Sequence, residues 1–233
     1  MIKLVLLPGM DGTGILFEPF LNYLPNDYVV QIISYPSHQK LSYQQLTDYV
    51  IERLPQKEDY LLLAESFAGP IAYNISLTHP KHLKQIIFVA SFIRPPNGFI
   101  RLSRWLPLAK LIPKAIPDFI FRFLLGKNAD KPLYRLIQKS LDKVSNEVLE
   151  FRIKEMRNLS HAQEYINYPC SYIQANNDVL VSKENSLYIK KKCQDFKLFE
   201  LEGSHFILQV NPIGCVNLVK NIIESLDGLT GFK

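Results

Sequence analysis

Three residues far apart in the chain have the types and the order that serine-based acyl transfer requires. Ser66 stands in Ala64-Glu65-Ser66-Phe67-Ala68-Gly69, where an apolar run gives way to a helical pattern. A serine at such a junction can occupy a sharp, strained turn that lifts its hydroxyl above a sheet. Crowding there demands small side chains two residues to either side; Ala64 and Ala68 stand where glycine is usual. A hydroxyl is a weak nucleophile until a base takes its proton. In this arrangement the acid and then the histidine follow the serine. Downstream of Ser171 there is one histidine, His205, in Glu202-Gly203-Ser204-His205-Phe206. Asp178 lies just past the apolar run that ends near Gln174. Singly, these residues read as a helix N-cap, a solvated loop histidine and a turn aspartate. Together, in the required order, they point to nucleophile, general base and orienting acid. Asp195, Glu200 and Glu202 are rival acids, although Asp195 precedes an apolar run and is expected at the opposite edge.

A tetrahedral intermediate also needs two backbone N–H donors aimed at its oxyanion, and glycines let the main chain approach closely. Leu6-Leu7-Pro8-Gly9-Met10-Asp11-Gly12-Thr13-Gly14 supplies such a loop. The expected donors are the N–H groups of Met10 and of Phe67, the residue after the nucleophile. A phosphate-binding loop is the competing interpretation. It fails on spacing, because Asp11 stands where a second glycine would be needed and no Gly-Lys-Ser/Thr follows.

The elements that must position these residues follow from hydrophobic periodicity. Short apolar runs at residues 3–7, 29–34, 60–64, 86–90, 171–174 and 197–200 alternate with helical patterns, the signature of a parallel sheet wrapped by helices. Ser42-Tyr43-Gln44-Gln45 forms a capping box for a helix running to about Leu54. Further helices are expected at 67–79, 183–193 and 212–226, the last with proline in its first turn. The alternation stops between Arg94 and Glu164, where six prolines punctuate short amphipathic helices. A helical insert after a strand suits a lid over the carboxyl ends of the strands, where open α/β sheets place their ligands. The expected organisation is an α/β core made of residues 1–94 and 166–233, with residues 95–165 as a helical cap.

At these motifs the sequence resembles the α/β-hydrolase superfamily nearly end to end. The Leu-Pro-Gly-Met-Asp-Gly-Thr-Gly loop, the Glu-Ser-Phe-Ala-Gly-Pro elbow and the Gly-Ser-His-Phe loop are similar to those of small bacterial hydrolases. Among these it looks most like the lidded pimeloyl-acyl-carrier-protein methyl ester esterases of biotin synthesis. Plastid esterase/acyltransferases share a similar loop but carry sequence absent here. The resemblance implies a serine carboxylesterase without metal or organic cofactor, acting on an acyl ester. Two alternatives stand beside it: a lipid-surface esterase or acyltransferase, and a non-catalytic hydrolase fold used as a binding module. An intact triad argues against the second.

Charge is distributed unevenly. The chain of 233 residues carries a net +5. Residues 94–164 hold 14 basic and 7 acidic side chains, a net +7, which leaves −2 for the remainder. Lys131, Arg135 and Lys139 recur at i, i+4 and i+8, opposite Leu133, Leu136, Ile137 and Leu141. Such a face is either ordinary solvated surface or a docking site for an acidic partner such as a carrier protein. Arg122, Arg152 and Arg157 are further candidates for that contact. The apolar, basic stretch 99–125 with Trp105 suits weak contact with anionic lipid. Nucleic acid is not expected, since no recognition motif appears. No run reaches about 18 uninterrupted apolar residues, so no membrane span is expected. The N-terminal apolar run is too short for a signal sequence and stops at Pro8-Gly9. Three cysteines without metal-ligand spacing are expected to be reduced packing residues in a cytoplasmic protein.

Overall fold

The computed structural model describes residues 2–96 and 130–230, with side chains through residue 226. Six strands form one parallel sheet in the order β2-β1-β3-β4-β5-β6. They are β1 (Lys3–Leu7), β2 (Val30–Ile32), β3 (Tyr60–Glu65), β4 (Leu83–Val89), β5 (Cys170–Ala175) and β6 (Phe196–Leu201). The central strands read as near-continuous apolar runs because helices cover both faces. Val5, Leu7, Leu62 and Ala64 point into one core, while Leu4, Leu6, Leu61 and Leu63 point into the other. Alternation along each strand therefore fills two apolar layers at once.

Helices named among the described residues are α1 (Glu18–Leu21), α2 (Tyr43–Ile51), α3 (Gly69–Leu77), α4 (Lys131–Leu141), α5 (Asn146–Arg157), α6 (Lys183–Lys192), α7 (Ile207–Val210) and α8 (Pro212–Thr230). The expected capping box forms: Ser42 Oγ accepts from Gln45 N–H while Gln45 Oε1 accepts from Ser42 N–H. That helix ends at Ile51 rather than Leu54, since Arg53 and Leu54 donate to carbonyls three residues back. The expected helix at 67–79 is a 3₁₀ turn, Ser66–Ala68, followed by α3. Strand β4 begins at Leu83, three residues earlier than its apolar run, and stops at Val89. Ala90 has turned to φ 45°.

Between β4 and β5 the described residues contain α4, α5 and no strand. Asp130 caps α4 by accepting from Leu133 N–H at 2.8 Å, and Ser145 caps α5 through Val148 N–H. On α5 the buried positions are Val148, Leu149, Arg152, Ile153 and Met156, a single stripe at helical spacing. The expectations for Arg122, Trp105 and the stretch 99–125 lie outside the described residues. Among the described residues no helix is long and apolar enough to cross a membrane.

Chain order places the reversal of sheet direction between β1 and β3. The chain runs from β1 outward to β2, returns to β3, and then proceeds to β4, β5 and β6. Open α/β sheets bind ligands beyond the carboxyl ends of strands at such a reversal. Leu7 pairs with Ala64 there, so the glycine-rich loop and the serine turn leave the sheet side by side.

Candidate active site

Ser66 follows the last residue of β3 with φ 48°, in the left-handed region that a residue with a Cβ adopts at a cost. The expected strained turn is therefore present. Its crowding is visible at Gly69, where an added Cβ would lie 2.1 Å from the Phe92 carbonyl oxygen and 2.3 Å from Ser91 Oγ. Ala64 and Ala68 are fully buried. The serine itself is half-buried, which leaves its hydroxyl approachable.

Ser66 Oγ lies 2.9 Å from His205 Nε2, and His205 Nδ1 lies 2.8 Å from Asp178 Oδ2. The other oxygen of Asp178 accepts from the N–H groups of Leu180 and Val181 at 2.9 and 2.8 Å. Its carboxylate is thus fixed by the turn it opens, with one oxygen reserved for the imidazole. The loops carrying acid and base are tied together, since Asn177 N–H donates to Gly203 O at 3.0 Å. The rival acids are elsewhere. Glu200 pairs with Lys183 at 2.9 Å on the surface, Glu202 is exposed, and Asp195 gives its carbonyl to Cys170 N–H at the opposite sheet edge.

Burial pushes the His205 imidazole down. The charge of Asp178 and its hydrogen bond, with a smaller contribution from Glu65, outweigh burial and hold it above its ordinary value of 6.5. Such an imidazole can accept the serine hydroxyl proton and is stabilised as the cation it becomes.

The glycine-rich loop packs directly against the serine turn. A Cβ added to Gly9 would sit 3.8 Å from Ser66 Cβ. Gly12 N–H donates to Gly9 O at 3.0 Å, which closes the turn containing Met10. Gly12 has φ 70° and an added Cβ there would strike Arg152 at 2.6 Å, so this position requires glycine twice over. On the other side, the Phe67 ring stacks on Tyr43 with centroids 4.7 Å apart. Met10 thus follows the glycine that packs on Ser66, and Phe67, next to Ser66 in the chain, is held by its stacking on Tyr43.

Arg152 is the expectation that the structure corrects. Rather than presenting its charge on an exposed face, it is 2% exposed and donates to the carbonyls of Met10 (2.8 Å), Asp11 (2.9 Å) and Pro36 (3.0 Å). The apolar residues Val148, Leu149, Ile153 and Met156 already placed position 152 on the inner stripe; its charge alone suggested otherwise. Lys131, Arg135, Lys139 and Arg157 are exposed. Lys139 approaches Glu18 at 4.0 Å.

Sequence reasoning missed the buried groups behind the serine. Glu65, 5% exposed, accepts from Gln209 Nε2 at 3.0 Å. Its second oxygen and Asp11 Oδ1 are both buried and have no hydrogen-bond partner among the described residues. An added Cβ on Gly9 would meet them at 3.8 and 3.9 Å respectively. Burial foremost, eased by the Gln209 hydrogen bond, raises Glu65 to about 7. Asp11 entered the sequence reading only as the residue that breaks a phosphate-loop spacing, and Gln209 carries no signal in the sequence.

No curated protein sequence matches the chain. Solved structures of the same fold include an esterase from Exiguobacterium antarcticum (TM-score 0.81, 14% identity, 96% of this chain and 92% of that one). A thermophilic esterase from Thermogutta terrifontis has a TM-score of 0.77 at 12% identity, over 97% of this chain and 90% of that one. The enol-lactonase from Burkholderia xenovorans LB400 has a TM-score of 0.78 at 13% identity, over 96% and 91%. At such identities the likeness establishes the α/β-hydrolase fold. The sequence profile of serine aminopeptidase S33 matches residues 42–206, well over half of the chain and inclusive of Ser66, Asp178 and His205. The chain belongs to the serine aminopeptidase S33 family of α/β hydrolases.

Proposed function

We propose that the protein is a serine carboxylic-ester hydrolase in which Ser66 is the nucleophile, His205 the general base and Asp178 the orienting acid. The hydrogen-bonded chain from Ser66 through His205 to Asp178 carries this reading. His205 Nε2 takes the hydroxyl proton as Ser66 Oγ bonds to the acyl carbon. The carbonyl oxygen becomes an oxyanion held by the N–H groups of Met10 and Phe67. Collapse expels the alcohol, which receives its proton from His205, and leaves an acyl-serine. A water deprotonated by His205 then attacks, the acid departs, and Ser66 regains its proton. Residues 95–165 serve as the cap over this site. The three cysteines are free, which suits a reducing compartment, and we place the protein in the cytoplasm on that ground.

Esters rather than peptides are the favoured substrates because the structural relatives named above are esterases and a lactonase. A fluorophosphonate should modify Ser66, located by peptide mass spectrometry. The Ser66→Ala variant should lose on the order of 10³-fold or more of its activity on p-nitrophenyl esters. Adducts elsewhere, or rapid cleavage of aminoacyl anilides with inert esters, would replace this reading.

A narrower reading is a methyl ester presented on an acidic acyl carrier protein, the pimeloyl ester of biotin synthesis being the form the motif resemblance implies. The exposed face of Lys131, Arg135 and Lys139 on α4 favours it.

A further inference from the structure

We infer that Arg152, on the inserted helix α5, is a positioning residue that sets the oxyanion-binding loop by gripping the carbonyls of Met10 and Asp11. The inference rests on the proposed role of Ser66 and deepens it.

The Met10 N–H belongs to the same planar peptide as the Gly9 carbonyl and points the opposite way. Gly12 N–H holds that carbonyl at 3.0 Å. That single bond is the turn's own hold on the peptide, and Gly9 and Gly12 otherwise restrict the chain little. The guanidinium adds a second constraint, on the peptides that follow. One nitrogen, Nη1, bonds both Met10 O and Asp11 O, while Nη2 bonds Pro36 O. Three carbonyls from two loops are thereby fixed to one rigid fork.

Helix α5 reinforces both sides of the site. The Met10 side chain packs against Val144, Val148 and Leu149. Three residues past Arg152, Glu155 accepts from Tyr43 N–H at 3.0 Å, satisfying a free donor at the start of α2. The Tyr43 ring in turn stacks on Phe67, which carries the other donor. A single helix of the insert thus braces the loop bearing Met10 directly and the turn bearing Phe67 through Tyr43.

A buried cation held by neutral carbonyls is a poor way to gain stability, because desolvation offsets much of the hydrogen bonding. An apolar side chain would fill the stripe of Val148, Leu149, Ile153 and Met156 more cheaply. What the guanidinium adds is geometry, to which a transition state is far more sensitive than a ground state. Loss of Arg152 should therefore lower kcat and spare KM.

The test uses the full-length protein with Arg152→Met and Arg152→Lys, a p-nitrophenyl ester, and a trifluoromethyl ketone. Addition of Ser66 Oγ to that ketone generates an oxyanion in the same place, with the proton passing to His205. Fluorophosphonate titration supplies the count of active sites, so a fall in folded protein cannot pass for a fall in kcat. Arg152→Met should lose about 10²-fold in kcat per titrated site, as for a misplaced reacting group. Its KM should stay within about twofold, and ketone affinity should fall in parallel with kcat. Arg152→Lys, which keeps the charge but not the fork, should fall between. If Arg152→Met does not fold, the Lys variant decides alone: wild-type kcat and ketone affinity overturn the inference. Those same values in a folded Arg152→Met also overturn it. A wild-type protein that the fluorophosphonate does not label at Ser66 removes the catalytic reading itself and the inference with it.

Discussion

Ser91, just beyond the carboxyl end of β4, donates its hydroxyl to the backbone carbonyl of Ser66 at 2.7 Å. The bond anchors the strained residue to the neighbouring strand. Ser91 is itself held at both backbone groups: its N–H donates to Tyr172 Oη at 2.9 Å and its carbonyl accepts from the same hydroxyl at 2.7 Å. The two bonds between Ser91 and Tyr172 are buried. Removing the Ser91 hydroxyl takes one of two donors from the Ser66 carbonyl, which keeps the Gly69 N–H, whereas removing the Tyr172 hydroxyl strands a donor and an acceptor. Ser91→Ala should cost about 1 kcal/mol and Tyr172→Phe about twice that. Urea unfolding of both single variants and the double variant would check this. Strict additivity would mean that the two hydroxyls do not act as one support.

Asp178→Asn separates orientation from stability. Its Oδ1 can still accept from Leu180 and Val181, so the turn should survive with little loss in melting temperature. The amide nitrogen would then face His205 Nδ1 and force the wrong tautomer. The rate should fall by roughly 10⁴-fold. A variant that remains within a few-fold of wild type would remove Asp178 from the catalytic unit.

The strands, the serine turn and the three separated residues were legible because each leaves a local trace: an apolar run, a small-residue pair, a loop histidine. Arg152 was legible in position but not in role. The apolar stripe on α5 turned it inward, yet only the fold brings helix α5 onto the loop after β1. Gln209 and Ser91 left no trace at all. Their function lies in what they approach, Glu65 and the Ser66 carbonyl, and contacts across more than a hundred residues, such as Gln209 to Glu65, have no period in sequence. Strand ends also escaped: β4 gains Leu83-Lys84-Gln85, where Gln85 bonds Ser171 of β5 at 2.8 Å and so satisfies a polar residue inside the sheet.

Glu65 gives the site a pH signature. Burial raises its carboxyl from 4.5 to about 7, so the folded protein keeps a proton that the unfolded chain releases. Its contribution to stability therefore declines as pH rises from 4.5 to about 7 and is flat above. His205, also raised, contributes stability below 6.5 that is lost as pH climbs through its folded value. The two slopes have the same sign. Around Glu65 stand Gln209, Asp11, His205 and the Gly9 N–H. Glu65→Gln should flatten the stability profile in that window. It should also shift the acid limb of kcat/KM to lower pH, because one charge that holds the imidazole up is gone. A limb that stays put or moves upward would refute the coupling of Glu65 to His205.

Recognition of a carrier-bound substrate would show itself in salt dependence. On α4, Lys131, Arg135 and Lys139 stand on the exposed side while Leu133 and Ile137 are buried. An acidic carrier steered by this field should bind more weakly as ionic strength rises, since screening sets in over about 10 Å at 0.1 M salt. A small neutral ester has no such attraction to lose. Lys131→Glu with Arg135→Glu is the cleaner reversal. Lys139 sits 4.0 Å from Glu18, and reversing it would add a like-charge pair within the protein. The double variant should raise KM for an acyl-carrier-protein methyl ester several-fold and leave the free methyl ester unchanged. Because both substrates pass through the same serine, any loss shared between them would indicate damage to the fold or the site rather than to docking. Equal efficiency on carrier-bound and free esters, at low and high salt alike, would end the carrier reading and leave hydrolysis of small esters.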